Sequence, residues 1–226
     1  MNIFIVCVFP EIIEAFKSHG VISRAIEKSL VTIHSVNIRD YSDKSGHIDD
    51  KPYGGGPGMV IRAEPLIKAV RSIKDKYPSS KCIYLSPKGK KLDQKIIKSI
   101  PLDTDLILVS GRYEGVDQRF IDLEVDEEWS IGDYVLSGGE VAACVVSDAI
   151  IRLIPGCLGD PESNKDESFD NDLLEYPHYT RPETIDGMSV PDVLLSGNHQ
   201  EIKKWRQKEA VSLTEKKRKD LMKKKL

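Results

Sequence analysis

The sequence predicts an α/β protein with a mostly parallel sheet, and three observations carry that expectation. Apolar, β-branched runs alternate with amphipathic segments through the first 155 of 226 residues. Strands separated by helices pair in parallel and are covered on both faces. Breaks such as Ser86-Pro87, Ser110-Gly111 and Pro155-Gly156 end apolar segments, and in open α/β sheets ligands bind beyond the carboxyl ends of the strands. No apolar run approaches the length of a bilayer span, so membrane insertion is not expected.

Taken in order, residues 2–9 read as a buried first strand rather than a signal peptide, because they lack a basic n-region and a cleavage site. Helical patterns follow through Phe16 and over 22–30, and the β-branched run 31–38 reads as a second strand. Residues 39–58 are polar and then glycine-rich, which predicts a long loop. A helix is predicted over 64–77, with Leu66, Ile67, Val70 and Ile73 on one face. Pro65 suits its first turn. Next come a strand at 82–85 stopped by Ser86-Pro87, a helix over 90–100, a strand at 105–109 and a short helix at 116–123. A strand within 129–136 and an apolar helix over 140–154 complete this part, with Ile131, Val135 and Leu136 expected in the core.

Residues 157–175 change character: 159–167 hold no large apolar side chain, so this stretch reads as a linker. From Leu173 the pattern resumes as helices broken by Pro177, Pro182 and Pro191. The expected organisation is one domain over 1–158, a linker over 159–172 and a small helical domain over 173–226.

Net charge is −3, from 33 basic and 36 acidic side chains. Eleven of the basic but only three of the acidic residues fall in 203–226, a local net of +8 that leaves −11 for the remainder. An acidic body with a basic tail suits a chain whose end meets a polyanion; a solvated helix end accounts for the same charges. The four cysteines, Cys7, Cys82, Cys144 and Cys157, show no C-x-x-C spacing. Three of them sit inside apolar runs and read as small buried hydrophobes, and reduced thiols in a cytoplasmic setting fit best.

Three strand-end loops are rich in glycine and small polar residues: LSPKG (85–89), SGRYEG (110–115) and SIGDYVLSGGE (130–140). Glycine lets a ligand approach the backbone and frees N–H and C=O groups to read an uncharged base edge such as adenine. One such loop is usually only a turn; three in succession point to a shared pocket. Neither G-x-G-x-x-G after the first strand nor G-x-x-x-x-G-K-[ST] is present, so a dinucleotide fold of the common kind is not expected.

Together with KPYGGGPGM (51–59), RLIPGCLG (152–159), LLEYPHYTRP (173–182) and VPDVLLSGNH (190–199), these strings resemble the bacterial tRNA (guanine-N(1)-)-methyltransferases of the SPOUT superfamily. The match is ordered and runs to about Arg206, GRYEG with SIGDYVLSGGE being its most diagnostic pair, and the C-terminal end is shorter than is usual in the family. The resemblance implies a deep trefoil knot in the sheet domain and S-adenosylmethionine held in a bent shape by the three loops. It also implies a homodimer with each active site shared between subunits, and a magnesium requirement whose position nothing in the sequence fixes. Methyl transfer to N(1) of guanosine 37, 3′ of the anticodon, is the implied reaction.

Carried onto this chain, the cofactor residues are Leu85, Ser86, Pro87, Gly111, Tyr113, Glu114, Gly115, Ile131, Gly132, Asp133, Tyr134, Val135, Leu136, Gly138 and Gly139. Gly54, Gly55, Gly56, Pro57 and Gly58 would admit the target base, and His178, Tyr179 and Arg181 would hold tRNA. Arg152 would face the guanine, although an i,i+4 pair with Asp148 also explains it; Asp133 equally suits a turn cap. The family's general base is an aspartate directly before Ser-Phe. Here that position is Glu167, a departure, with Asp166 beside it as the alternative.

Overall fold

The computed structural model describes residues 1–43, 46–159 and 167–222. The chain divides into two compact units, Met1–Gly159 and Asp160–Leu226.

The first unit is built on a five-stranded sheet. Its strands are β1 (Asn2–Cys7), β2 (Thr32–Asn37), β5 (Lys81–Lys91), β6 (Leu106–Ser110) and β7 (Glu127–Ser130), in the order β2-β1-β6-β5-β7. Every neighbouring pair is parallel. Alternate side chains of a strand face opposite sides of a sheet, and here they feed two separate apolar clusters. Ile3, Ile5, Leu106, Leu108 and Ile83 pack with Ile13 of α1 (Pro10–Lys17), Ile22 of α2 (Gly20–Glu27), Ile97 of α4 (Gln94–Ser99) and Val146 of α6 (Glu140–Ile151). Phe4, Val6, Ile107, Val109 and Tyr84 pack with Leu66 and Val70 of α3 (Ala63–Lys74) and Phe120 of α5 (Gln118–Glu124). Arg71 Nε donates to Glu124 Oε1 at 2.6 Å and Lys74 Nζ to the Glu124 carbonyl at 3.1 Å, which ties α3 to α5.

Four expected elements differ. The third strand does not stop at Ser86-Pro87: β5 runs on to Lys91, with a register irregularity between Leu85 and Lys90. Lys90 and Lys91 then pair with Trp129 and Ser130, so backbone partners on β7 override a helix-prone sequence. The helix expected from residue 90 begins at Gln94, where the Asp93 carboxylate accepts the Ile96 N–H at 2.9 Å. The strand expected within 129–136 is β7, and it ends at Ser130. Beyond it Val135 is 87% and Leu136 40% exposed, so neither is core. Within the expected loop after residue 38, β3 (Asp49–Asp50) and β4 (Val60–Ile61) form a short antiparallel ladder that closes the glycine-rich segment as a hairpin.

In the second unit, 173–183 is not helical; it precedes a hairpin of β8 (Thr184–Ile185) and β9 (Met188–Ser189) turning at Asp186 and Gly187, both with positive φ. Helices α7 (Asp192–Leu195), α8 (His199–Lys217) and α9 (Lys219–Met222) follow. Asn198 caps α8 by accepting the N–H groups of Gln200 and Glu201. The buried Thr214 hydroxyl donates to the Ala210 carbonyl at 2.7 Å and accepts the Leu174 N–H at 2.8 Å, fixing the extended segment on α8. Among the described residues no helix is long and apolar enough to cross a membrane.

Candidate active site

A cavity of about 350 Å³ opens at the carboxyl ends of β6 and β7 and beside the irregular middle of β5. Its wall contains every residue expected from the three glycine-rich loops except Asp133. The Asp133 side chain is 81% exposed and pairs with Lys91 Nζ at 2.6 Å, which is a surface ion pair. Sequence reasoning missed Tyr84, Arg112, Gln118, Glu128 and Ser137, which also line the cavity. Arg112 lay in plain view inside GRYEG; Glu128 gave no local signal, because its place depends on the register of β7.

Backbone packing explains why the loops need glycine. A Cβ on Gly139 would lie 2.7 Å from Ser110 Cα and 2.9 Å from Gly111 N, so the start of α6 packs directly on the end of β6. The Gly139 N–H donates to the Gly111 carbonyl at 2.8 Å. Arg112 fastens the same junction: Nε donates to Glu140 Oε2 at 3.1 Å and a terminal nitrogen to the Ser137 carbonyl at 3.3 Å. Its guanidinium also stacks 4.6 Å over Phe9. Glu140 is fully buried, and its other oxygen accepts the Val8 N–H at 3.4 Å. The thiol of Cys7 is pushed up to about 12, first by burial and then by the negative charge of Glu140. Burial likewise raises the Tyr84 phenol, and the Glu128 carboxylate pushes it the same way.

The hairpin loop between β3 and β4 is tied to the cavity's rim. Glu114 N–H donates to the Met59 carbonyl at 3.0 Å, and Ile61 N–H to the Gly115 carbonyl at 2.9 Å. A Cβ on Gly58, whose φ is +83°, would meet the Glu114 carboxylate at 2.5 Å. Gly54, Gly55, Gly56, Pro57 and Gly58 are all exposed, and Tyr53 beside them is 99% exposed.

Arg152 is not in this wall. It is the half-buried C-cap of α6, with its N–H on the Asp148 carbonyl. Twelve helical residues separate it from Gly139, a span of about 18 Å at 1.5 Å per residue.

The second unit holds its own cleft of about 480 Å³, lined by Glu167, Tyr176, His199, Lys203 and Arg206 among others. The Arg206 guanidinium lies 4.8 Å over the Tyr176 ring. His178 Nε2 meets Glu175 at 2.8 Å, the Tyr179 ring is 6.3 Å from that of Trp205, and Arg181 is exposed. Asp166 lies outside the described residues.

A family model described as tRNA (Guanine-1)-methyltransferase TrmD matches residues 1–224. A tRNA (guanine-N(1)-)-methyltransferase of Buchnera aphidicola subsp. Schizaphis graminum is 51% identical over 223 residues, covering 98% of this chain and 85% of that protein. Proteins of the same name from Marinomonas sp. and Vibrio vulnificus are 48% and 47% identical, each over 98% of this chain and 89% and 90% of theirs.

Proposed function

The chain belongs to the tRNA (guanine-N(1)-)-methyltransferase family, and we propose that it methylates N(1) of guanosine at tRNA position 37, using S-adenosylmethionine bound in the cavity above β5, β6 and β7. The observation that carries this reading is the joint geometry of two loops. A cavity walled by backbone-rich glycine segments stands directly against the exposed 54–58 loop through Gly58 and Glu114. The cavity suits a nucleoside cofactor and the glycine loop beside it a flat base, so a methyl group has a short way to travel.

The cavity fits the cofactor on its own features. Its volume is that of a small-molecule site, and the close approach at Gly139 leaves backbone groups at its edge. One buried carboxylate oxygen of a lining residue, Glu128 Oε2, has no hydrogen-bond partner among the described residues. The bound cofactor supplies an electrophilic methyl group on a sulfonium sulfur. In this reading the passage of residues 130–139 beside Gly111 and of β5 beyond Pro87 belongs to the family's trefoil knot, an exception to the rule against threaded chains. Among the described residues no three His, Cys, Asp or Glu side chains converge as a metal site, and no step here involves magnesium.

The guanine N(1) carries a proton at neutral pH, so a base must remove it as the N(1) electron pair attacks the methyl carbon and the carbon–sulfur bond breaks. Glu167 takes that proton, with Asp166 as the alternative. Negative charge moves toward O6, and Arg152 stabilises it. About 15 Å along α6 separates Arg152 from Ala142, the last residue of that helix in the cavity wall of its own chain, which supports a homodimer whose second subunit brings Arg152 to the methyl group. Val141 and Val145, half-exposed and one turn apart on the same helix, supply an apolar ridge suited to a two-fold contact.

Single-turnover methylation of unmodified tRNA, followed by mass-spectrometric mapping of the product nucleoside, tests the reading. The expected product is 1-methylguanosine at position 37. Glu167→Gln is expected to slow the step by about a hundredfold or more, with cofactor affinity little changed. Another modified position, or a Glu167→Gln, Asp166→Asn double variant of full activity, would overturn it. Sedimentation that finds a fully active monomer would remove the shared site.

A further inference from the structure

The wall segment 137–139 rests on a buried ion pair. Arg112 Nε meets Glu140 Oε2 at 3.1 Å, with the arginine side chain 20% exposed and the glutamate fully enclosed. A Cβ on Gly138 would collide with Arg112 Nε and lie 2.7 Å from Glu140 Oε2, so the Gly138 backbone sits directly on the pair. Gly138 also forms an antiparallel bridge with Arg112. Near the other end of the same loop stands only the Lys91–Asp133 pair, whose side chains are both exposed; such a pair contributes little in water.

The buried pair joins four stretches of chain. Glu140 opens α6, and its second oxygen accepts the N–H of Val8, just past β1, at 3.4 Å. Arg112 belongs to the turn after β6. One of its terminal nitrogens donates to the Ser137 carbonyl at 3.3 Å, and its guanidinium lies 4.6 Å over the Phe9 ring. A buried ion pair adds little net stability compared with an apolar pair of the same shape. What this one supplies is direction. The rigid fork of arginine reaches a carboxylate and a carbonyl at once while its face stays on a ring, which a lysine ammonium cannot do. Arg112, Ser137, Gly138 and Gly139 line the cavity, and Glu140 is buried behind them.

We propose that the Arg112–Glu140 pair positions the cofactor: it holds residues 137–139 on the end of β6 in the place that bound S-adenosylmethionine requires, without itself contacting the ligand. This rests on the cavity being the cofactor site.

Calorimetry with S-adenosylhomocysteine and its decarboxylated analogue, together with thermal melting, tests it on the full chain. Arg112→Lys keeps a cation beside Glu140 and should melt close to the wild-type temperature. It should nevertheless bind both ligands about tenfold more weakly, the scale of a lost hydrogen bond from a charged group. Glu140→Gln, a change out of any ligand's reach, should weaken both ligands by a smaller factor, because its amide oxygen still accepts. Arg112→Met leaves a buried carboxylate without its cation and should melt lower. Adding Glu140→Gln to Arg112→Met should restore the melting temperature but not the affinity. Wild-type affinity in Arg112→Lys or in Glu140→Gln would overturn the proposal, as would affinity that returns with the melting temperature in the double variant. A loss confined to S-adenosylhomocysteine would also overturn it, by making Arg112 a direct partner of the cofactor's carboxylate. Failure of the wild type to bind S-adenosylhomocysteine would instead overturn the cofactor reading.

Discussion

The two units of this chain are stabilised in different ways. The first buries two apolar clusters against opposite faces of a parallel sheet, with Ile3, Ile5, Ile107, Leu108 and Phe120 fully enclosed. In the second, the described residues that are buried are only Ala210, Thr214 and Leu221, and its extended segment leans on single contacts. One is the Thr214 hydroxyl bond to Leu174; others are cation–ring stacks such as Arg206 over Tyr176. A rigid core suits the cofactor-holding role proposed for this unit. Few buried apolar contacts give a low cost of local opening, which fits the RNA-binding role proposed for this unit.

Each unit contains one of the two tryptophans, Trp129 and Trp205, so Trp129→Phe and Trp205→Phe variants report the units separately. The largest effect is expected from Phe120→Ala, which empties a fully buried aromatic site at a cost of about 3–5 kcal/mol. The Trp129 transition in urea should move strongly while the Trp205 transition stays. If the two move together, the units unfold as one and the contrast between them fails.

A smaller effect should separate the units by pH. All four cysteines belong to the first unit. Burial pushes the thiols of Cys7 and Cys82 up to about 12 and that of Cys144 to about 11, from an ordinary value of 9.0. The folded state keeps protons that the unfolded state releases. This stabilisation is complete below pH 9 and is lost as the pH climbs toward 11 to 12. Urea midpoints at pH 8 and pH 10 should therefore drop for Trp129 more than for Trp205, and Cys82→Ala should reduce the difference. An equal drop in both reporters would assign the alkaline loss to other groups.

The smallest effect concerns the basic end. Lys216, Lys217 and Lys219 are exposed, whereas Arg218 is half-buried, pairs with Asp220 through two nitrogens and lies over Phe169. Replacing the three lysines with alanine should weaken tRNA binding and flatten its log–log salt dependence by about one unit per phosphate contact removed. Cofactor affinity, assigned by the proposed function to the first unit, should not change. A preserved salt slope would return these lysines to a solvated helix end.

The sequence by itself determined the alternation of strands and helices, because apolar period and chain breaks are written locally in each segment. It also marked the three glycine-rich segments, two following β6 and β7 and the third falling inside β5, and the cavity wall takes in all of their expected residues but Asp133. Only the tertiary structure decided that Lys90 and Lys91 extend a strand, since their backbone partners on β7 lie nearly forty residues away. It alone turned Val135 and Leu136 outward and paired Asp133 with Lys91. Glu128 shows the reason most clearly. In sequence it is one of three acids in a row before Trp129. Register with Tyr84 brings it into the cavity wall, where its Oε2 has no partner among the described residues. Hydrogen-bond satisfaction of a buried group depends on what long-range pairing brings beside it, and no local pattern encodes that.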